Sequence, residues 1–343
     1  MRLRRSLALA AIAATALALT ACAADTGIGT DAEDGAAEAA TGEFPVTLEH
    51  ALGTTEITEA PERVATWGWG STEAAIALGV FPVAVAEQPW TVGEDALLPW
   101  VEEAYDEAGI EHPAILDDSE GGATVPYEEF VDAAPDLILA PYSGLTQEQY
   151  DLLSEIAPTV AYPDAPWTTP WDDEIRIVAE ALGRPADGDA VLADIADYFA
   201  TAAAEHPDFA GTTVANVWDG DGFVYVYTAA DARVDVLTDI GFEIAPSVSE
   251  LDTSDGGFYY ELSYEELDKL DADVIVSYHS TEEEAAAFLE KSELQAIPAV
   301  AAGRVAQVFD PVKVSSVSPP TALSVTWSGG MPELVEALQA ALD

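Results

Sequence analysis

Two stretches of the chain repeat one pattern of polar and apolar positions. Tyr127-Glu128-Glu129-Phe130 leads into Pro135-Asp136-Leu137-Ile138-Leu139 and ends at Ser143, and 137 residues later Tyr264-Glu265-Glu266-Leu267 leads without a gap into Ala272-Asp273-Val274-Ile275-Val276 and ends at Ser280. Each stretch predicts a short helix opened by acidic residues, then a buried strand made of a continuous apolar run. A unit that recurs at this distance suggests two lobes of related α/β construction. The same alternation predicts strands at 63–66 and 82–85 around a helix at 71–78 closed by Gly79. In the second half it predicts a strand at 214–217, a helix at 234–240 closed by Gly241, and a strand at 304–309. Strands alternating with helices imply largely parallel sheets.

Between the repeats, Thr169-Pro170-Trp171-Asp172 offers an N-cap, a proline at the first helical position and an early acid, predicting a helix that ends near Gly183. A longer helix follows over 187–205, where Val191, Ile195 and Phe199 recur every four residues. At 1.5 Å per residue it is roughly 28 Å long, enough for one rod to join two lobes. A rigid rod allows only a few degrees of hinge motion, so closure on a ligand is expected to be small. About 300 residues after the N-terminal segment exceed what one hydrophobic core usually serves. The expected division is a lobe at 44–183, a connecting helix at 184–206 and a second lobe at 207–343.

The first residues carry Arg2, Arg4 and Arg5 and run into 13 uncharged, largely apolar positions, 7–19. That run is too short for a spanning helix, which needs roughly 20 residues, and 1–21 reads as a signal peptide. Leu19-Thr20-Ala21-Cys22 resembles the bacterial lipobox, which implies lipidation of Cys22 and anchoring outside the cell membrane. Cys22 is the only cysteine, so no intramolecular disulfide is available. Residues 23–42, rich in Ala, Asp, Glu, Gly and Thr, read as a tether with a reach of about 25 Å, so that 22–43 form a lipidated cysteine and linker.

Charge excludes whole classes of partner. Three of the 11 basic residues lie in the leader, leaving eight against 64 acidic ones and a net charge near −56. Nucleic acid is not a partner for such a surface. Two causes fit it, a polyanion-repelling binding surface and, more commonly, the solvated acidic shell of a salt-adapted organism, and low ionic strength should weaken the fold by self-repulsion. His50, His112, His206 and His279 are scattered without metal-ligand spacing. No GxSxG elbow or phosphate-binding glycine loop follows a strand, so no enzyme is expected.

Several motifs occur in a telling order: Pro61-Glu62-Arg63-Val64, Leu78-Gly79-Val80-Phe81-Pro82-Val83-Ala84-Val85, Ala134-Pro135-Asp136-Leu137-Ile138-Leu139, Ile156-Ala157-Pro158-Thr159-Val160 and Gly303-Arg304-Val305. Together they resemble the iron-siderophore and cobalamin substrate-binding proteins of bacterial ABC importers, periplasmic binding proteins with a single-helix hinge. The resemblance runs from about Phe44 to the C-terminus. It implies two Rossmann-like α/β lobes joined by one long helix, a ligand cleft between them, a monomeric protein without a cofactor, and delivery of a ferric siderophore to a permease dimer served by an ATPase. It also implies that Glu128 and Glu265, one on each lobe, dock into basic pockets of the permease. A competing role for both is ordinary helix-start electrostatics, and Ser263 to Glu266 reads as a capping box.

A ligand between such lobes meets loops at the carboxyl ends of the strands. Trp67, Trp69, Trp90 and Tyr142 occupy those places in the first half; Trp218, Tyr225, Tyr227 and Tyr278 occupy comparable ones in the second. An aromatic wall suits the organic shell of a metal chelate, with core filling as the competing role for each ring. Arg63, Arg184, Arg304, Lys269 and Lys291 read as structural, leaving Arg233 and Lys313 as cleft cations, with Arg176 behind them. So few cations favour a hydroxamate or mixed siderophore over a tris-catecholate, whose complex carries about three negative charges. Arg233 would hydrogen-bond the iron-coordinating oxygens, and His279 is expected on a solvent-facing loop. Cobalamin or haem in the same cleft, or a membrane-anchored sensor or enzyme, are the alternatives.

Overall fold

The computed structural model describes residues 42–88, 96–318 and 320–343. The expected signal peptide, Cys22, the expected tether up to residue 41 and Trp90 lie outside the described residues. A hairpin of β1 (Val46–His50) and β2 (Gly53–Ile57) precedes an alternation of β3 (Val64–Thr66), α1 (Ser71–Ala77), β4 (Ala84–Ala86), α2 (Pro99–Ala108), β5 (Ala114–Leu116), α3 (Tyr127–Ala133), β6 (Leu137–Leu139), α4 (Gln147–Ser154) and β7 (Thr159–Val160). The five strands after the hairpin pair in the order β5-β4-β3-β6-β7, all parallel. Every residue of β3 and β6 is buried, as befits strands covered by helices on both faces. Strand order reverses between β3 and β6, which opens a crevice at their carboxyl ends. The helix closed by Gly79 forms as expected, with the glycine at φ 76°.

Helix α5 (Trp171–Ala181) starts one residue later than its sequence suggests, with Pro170 as the N-cap. Thr169 is buried, and its hydroxyl donates to the Pro141 carbonyl instead of capping the helix. Helix α6 (Pro185–Glu205) is a single run of 21 residues, roughly 31 Å long, that buries Ile195 and Phe199. At Gly188 it crosses α5 so closely that a Cβ there would lie 2.5 Å from the Ala179 Cβ.

Beyond α6 come β8 (Thr213–Gly220), β9 (Phe223–Tyr227), α7 (Ala232–Asp239), β10 (Glu243–Ile244), α8 (Pro246–Leu251), β11 (Tyr259–Ser263), β12 (Val274–His279), α9 (Glu282–Glu290), α10 (Pro298–Ala301), β13 (Val305–Phe309), α11 (Pro311–Val317) and α12 (Met331–Leu342). This second sheet runs β11-β9-β8-β12-β13, with β10 also on β8. It is mixed rather than parallel throughout. Strands β10, β8, β12 and β13 pair in parallel, while β8-β9 and β9-β11 are antiparallel. Asp221 at φ 51° and Gly222 at φ 89° make the tight turn between β8 and β9, the chemistry a two-residue hairpin requires.

In the second repeat the segment before the strand, Tyr264–Lys269, is a 3-10 helix and not a turn of α-helix. Ser263 gives it no side-chain cap; its hydroxyl donates to Glu266 at 3.4 Å. One apolar cluster runs from Val64, Leu137 and Leu139 through Ile175 and Val178 of α5 and Phe199 of α6 to Val214, Val274 and Val276 of the second sheet. The two sheets are thus joined by packing as well as by the chain. No helix among the described residues is long and apolar enough to cross a membrane.

Candidate functional site

Where β3 and β6 end, their following loops are stitched together. The Trp67 amide donates to Leu139 O at 2.9 Å and the Trp69 amide to Tyr142 O at 3.1 Å. Gly68, at φ 90°, lies so close that a Cβ would stand 2.3 Å from Tyr142 O. Trp67 turns inward from this loop: it is 1% exposed and packs edge-on to Phe130 at 5.9 Å, so it belongs to the core and not to the cleft wall. Trp69 and Tyr142 stay half-buried at the crevice. Tyr142 meets Trp167 edge-on at 5.8 Å, and Gly144 makes room for that indole, since a Cβ there would be 2.4 Å from its Nε1.

Beneath the loop sit two buried carboxyls. Ser71 Oγ donates to Glu174 Oε1 at 2.9 Å, and Trp100 Nε1 donates to Glu73 Oε1 at 3.1 Å. Burial raises the pKa of both, and the charge of Glu73 pushes Glu174 further in that direction. Thr321, from the far end of the chain, also hydrogen-bonds Glu73 and partly offsets its burial.

On the second sheet, alternation along β8 and β9 puts Asn216, Trp218, Tyr225 and Tyr227 on one face, and their opposite neighbours in an apolar core. Arg233, in the first turn of α7, lies over the Tyr227 ring with Cζ 3.9 Å from its centroid. Its Nε stands 2.6 Å from Asp231 Oδ1, and the two side chains are 14% and 4% exposed. Asp231 also caps α7 by accepting the Arg233 amide at 2.9 Å. Tyr227 packs edge-on to Tyr278 at 6.2 Å, and Asn216 Nδ2 donates to Tyr278 Oη at 3.1 Å.

The two halves meet electrically here. Burial raises the Tyr142 hydroxyl, Asp231 raises it further and Arg233 opposes, so this tyrosine of the first half senses the ion pair of the second. Burial works against the charge on Arg233, but Asp231, Tyr227, Tyr278 and Tyr142 outweigh it and hold its pKa above the ordinary value. Outward from this cluster an aromatic row follows the antiparallel ribbon, Trp218 to Tyr225 at 5.8 Å and Tyr225 to Tyr259 at 5.5 Å. Trp218 is half exposed. The arrangement can hold a bulky apolar shell against rings and offer guanidinium hydrogen bonds at its centre.

Other expected positions fall elsewhere. Lys313 pairs with Glu333 beside a groove of about 380 Å³ lined by Gln307, Phe309 and Leu334. His279 is not on a solvent-facing loop. It is the buried last residue of β12, bonded to Ser277 Oγ at 2.9 Å, and burial lowers its pKa. Arg176 bonds Asp172 and Asp173 at the surface. Glu128 and Glu265 are exposed, on α3 and on the 3-10 helix. Asp231, Trp167, Tyr259 and Glu174 were not singled out by pattern, although the Asp-Ala-Arg start of α7 is a readable N-cap. Among the described residues no group of three or more His, Cys, Asp or Glu could hold a metal ion.

A model of the family described as periplasmic binding protein matches residues 64–310. The structure of Streptococcus pneumoniae TIGR4 PiaA in complex with ferrichrome is similar at 34% identity and TM-score 0.78, covering 86% of this chain and 98% of that one. A periplasmic solute binding protein from Mycobacterium smegmatis is similar at 26% identity and TM-score 0.72, covering 87% and 99%. Staphylococcus aureus FhuD2 with bound ferrioxamine B shares the fold at 18% identity and TM-score 0.63, covering 82% and 100%. No curated protein matches. By fold, by the matched length and by its identity to PiaA, the chain belongs to the periplasmic binding protein family.

Proposed function

We propose that this chain is the extracytoplasmic substrate-binding lipoprotein of an ABC importer, and that it captures a ferric siderophore of hydroxamate or mixed type without catalysing a reaction. In this reading 1–21 are a signal peptide, Cys22 carries the lipid, 22–43 form the tether, and lobes 44–183 and 207–343 close on the ligand about the helix at 184–206. The observation that carries it is Arg233, laid over Tyr227, bordered by Tyr278 and electrically coupled to Tyr142 of the first half. A single guanidinium among rings can donate hydrogen bonds to iron-coordinating oxygens while the rings cover the organic shell. The likeness to PiaA, described with ferrichrome, supports the same class. Trp69, Tyr142, Trp218, Tyr225 and Arg233 are the proposed ligand contacts, with Trp90 beside them in sequence reasoning; Tyr227 and Tyr278, 7% and 5% exposed and part of the apolar core, back Arg233 from behind. Glu128 and Glu265 are the proposed permease-docking residues.

The test is a titration of the purified full chain in detergent and high salt with ferric tris-hydroxamate, ferric tris-catecholate, cobalamin and haem, followed by tryptophan fluorescence. Saturable quenching by the ferric hydroxamate is expected. Saturation by cobalamin or haem alone, or by none of the four with a folded sample, overturns the reading.

A further inference from the structure

We propose that Asp231 sets the charge that the cleft accepts: by cancelling Arg233 from within the fold, it makes the site selective for uncharged ferric chelates and against anionic ones. The inference rests on the siderophore reading above and names the residue that would govern its ligand class.

Arg63 donates to the Ala133 and Ala134 carbonyls at the amino end of β3. Arg176, Arg184, Lys269, Lys291 and Lys313 each pair with a nearby acid. Arg304 precedes β13, at the amino end of a strand parallel to β12 and so away from the crevice. Arg233 is therefore the cation at the ring cluster, and it is not offered as a free charge. Asp231 stands 2.6 Å away and is only 4% exposed, so solvent screens the pair poorly and a ligand meets guanidinium hydrogens with the charge already cancelled.

The acid is not dictated by helix capping. Asn or Ser at position 231 would accept the Arg233 amide as well as Asp does, and either would leave the guanidinium net positive. A complex of ferric iron with three hydroxamates is neutral, whereas a tris-catecholate carries about three negative charges and would be desolvated without a counter-charge.

Three variants of the full chain separate a charge role from a merely structural one: Asp231→Asn and Asp231→Ser keep the cap and remove the charge, while Asp231→Glu keeps the charge. The quantity read is the ratio of dissociation constants, ferric tris-catecholate over ferric tris-hydroxamate, by fluorescence titration of samples shown by circular dichroism to be folded. The ratio is expected to fall by at least about tenfold in Asp231→Asn and Asp231→Ser, with a steeper salt dependence for the anion, and to stay near the starting value in Asp231→Glu. If both constants move together and the ratio holds, Asp231 is a structural residue and the proposal fails. It also fails if the unmodified chain binds the tris-catecholate as tightly as the hydroxamate, or if neither charge-removing variant folds. If the unmodified chain binds neither ferric complex, the siderophore reading itself is wrong and this inference goes with it.

Discussion

Glu174 accepts a hydrogen bond from Ser71 and lies against Gly70, where a Cβ would come within 2.2 Å of its Oε2. The carboxyl therefore supports the loop that carries Trp69. Burial raises its pKa above the ordinary value of 4.5, so the folded state holds the proton more tightly than the unfolded chain does. The sign follows: the stabilisation is fully present below the unfolded value and is lost as pH rises from about 4.5 through the folded value. Glu174→Gln cannot ionise, so its melting temperature in high salt should fall less between about pH 5 and about pH 8 than that of the unmodified chain. Glu73 shifts in the same direction, so the slope should be reduced but not abolished. An unchanged slope would mean that this carboxyl is not protonated in the fold. None of this was visible in sequence, where Glu73 and Glu174 are two acids among 64. Elimination among so few cations leaves Arg233 and Lys313 alike, and only their surroundings tell them apart: Arg233 lies over the Tyr227 ring, whereas Lys313 pairs with Glu333. Trp67 and His279 were misread because sequence places a residue at a strand end without saying which way its side chain turns.

At the scale of elements, the α5–α6 crossing depends on a missing methyl group. Gly188→Ala would put a Cβ 2.5 Å from the Ala179 Cβ, both attached directly to backbone, so the helices must part. Overpacking typically costs about 1–3 kcal/mol, and alanine returns up to about 1 kcal/mol of helix propensity. A net loss of about 1–2 kcal/mol is expected in denaturant unfolding, and a variant as stable as the original would show that the crossing has slack. The helices and the parallel strands were readable from periodicity and glycine stops. The β8–β9 hairpin was readable in principle from Asp221-Gly222, but alternating helices and strands on either side favoured a parallel reading. That antiparallel ribbon carries Trp218, Tyr225 and Tyr259, so missing it hid Tyr259. The α-helix expected before β12 is a 3-10 helix, a difference of hydrogen-bond step that acidic residues at a helix start cannot reveal.

For the whole molecule, the core runs continuously through α5 and α6, so moving the two sheets apart would break apolar contacts. Docking would then depend on surfaces whose spacing the fold keeps constant. Exposed Glu128 and Glu265 are its proposed contacts, one on each half. Changing both to Lys should leave fluorescence titration with ferric hydroxamate within about twofold of the original while uptake by cells falls at least about tenfold. Normal uptake would remove them from the docking surface. The repeat that pointed to these residues survives in the structure as α3 with β6 and the 3-10 helix with β12.

Trp100 on α2 and Trp327 near the C-terminus lie 5.2 Å apart between ring centroids, with Val312 and Leu323 packed around the same cluster. Two indoles that close share their electronic transitions, and their joint near-ultraviolet circular dichroism depends on separation and tilt. Trp100 precedes the long helix α6 in the chain and Trp327 follows it, so the couplet reports on one contact between the two ends of the fold, readable without a label and separate from the rings that would touch a ligand.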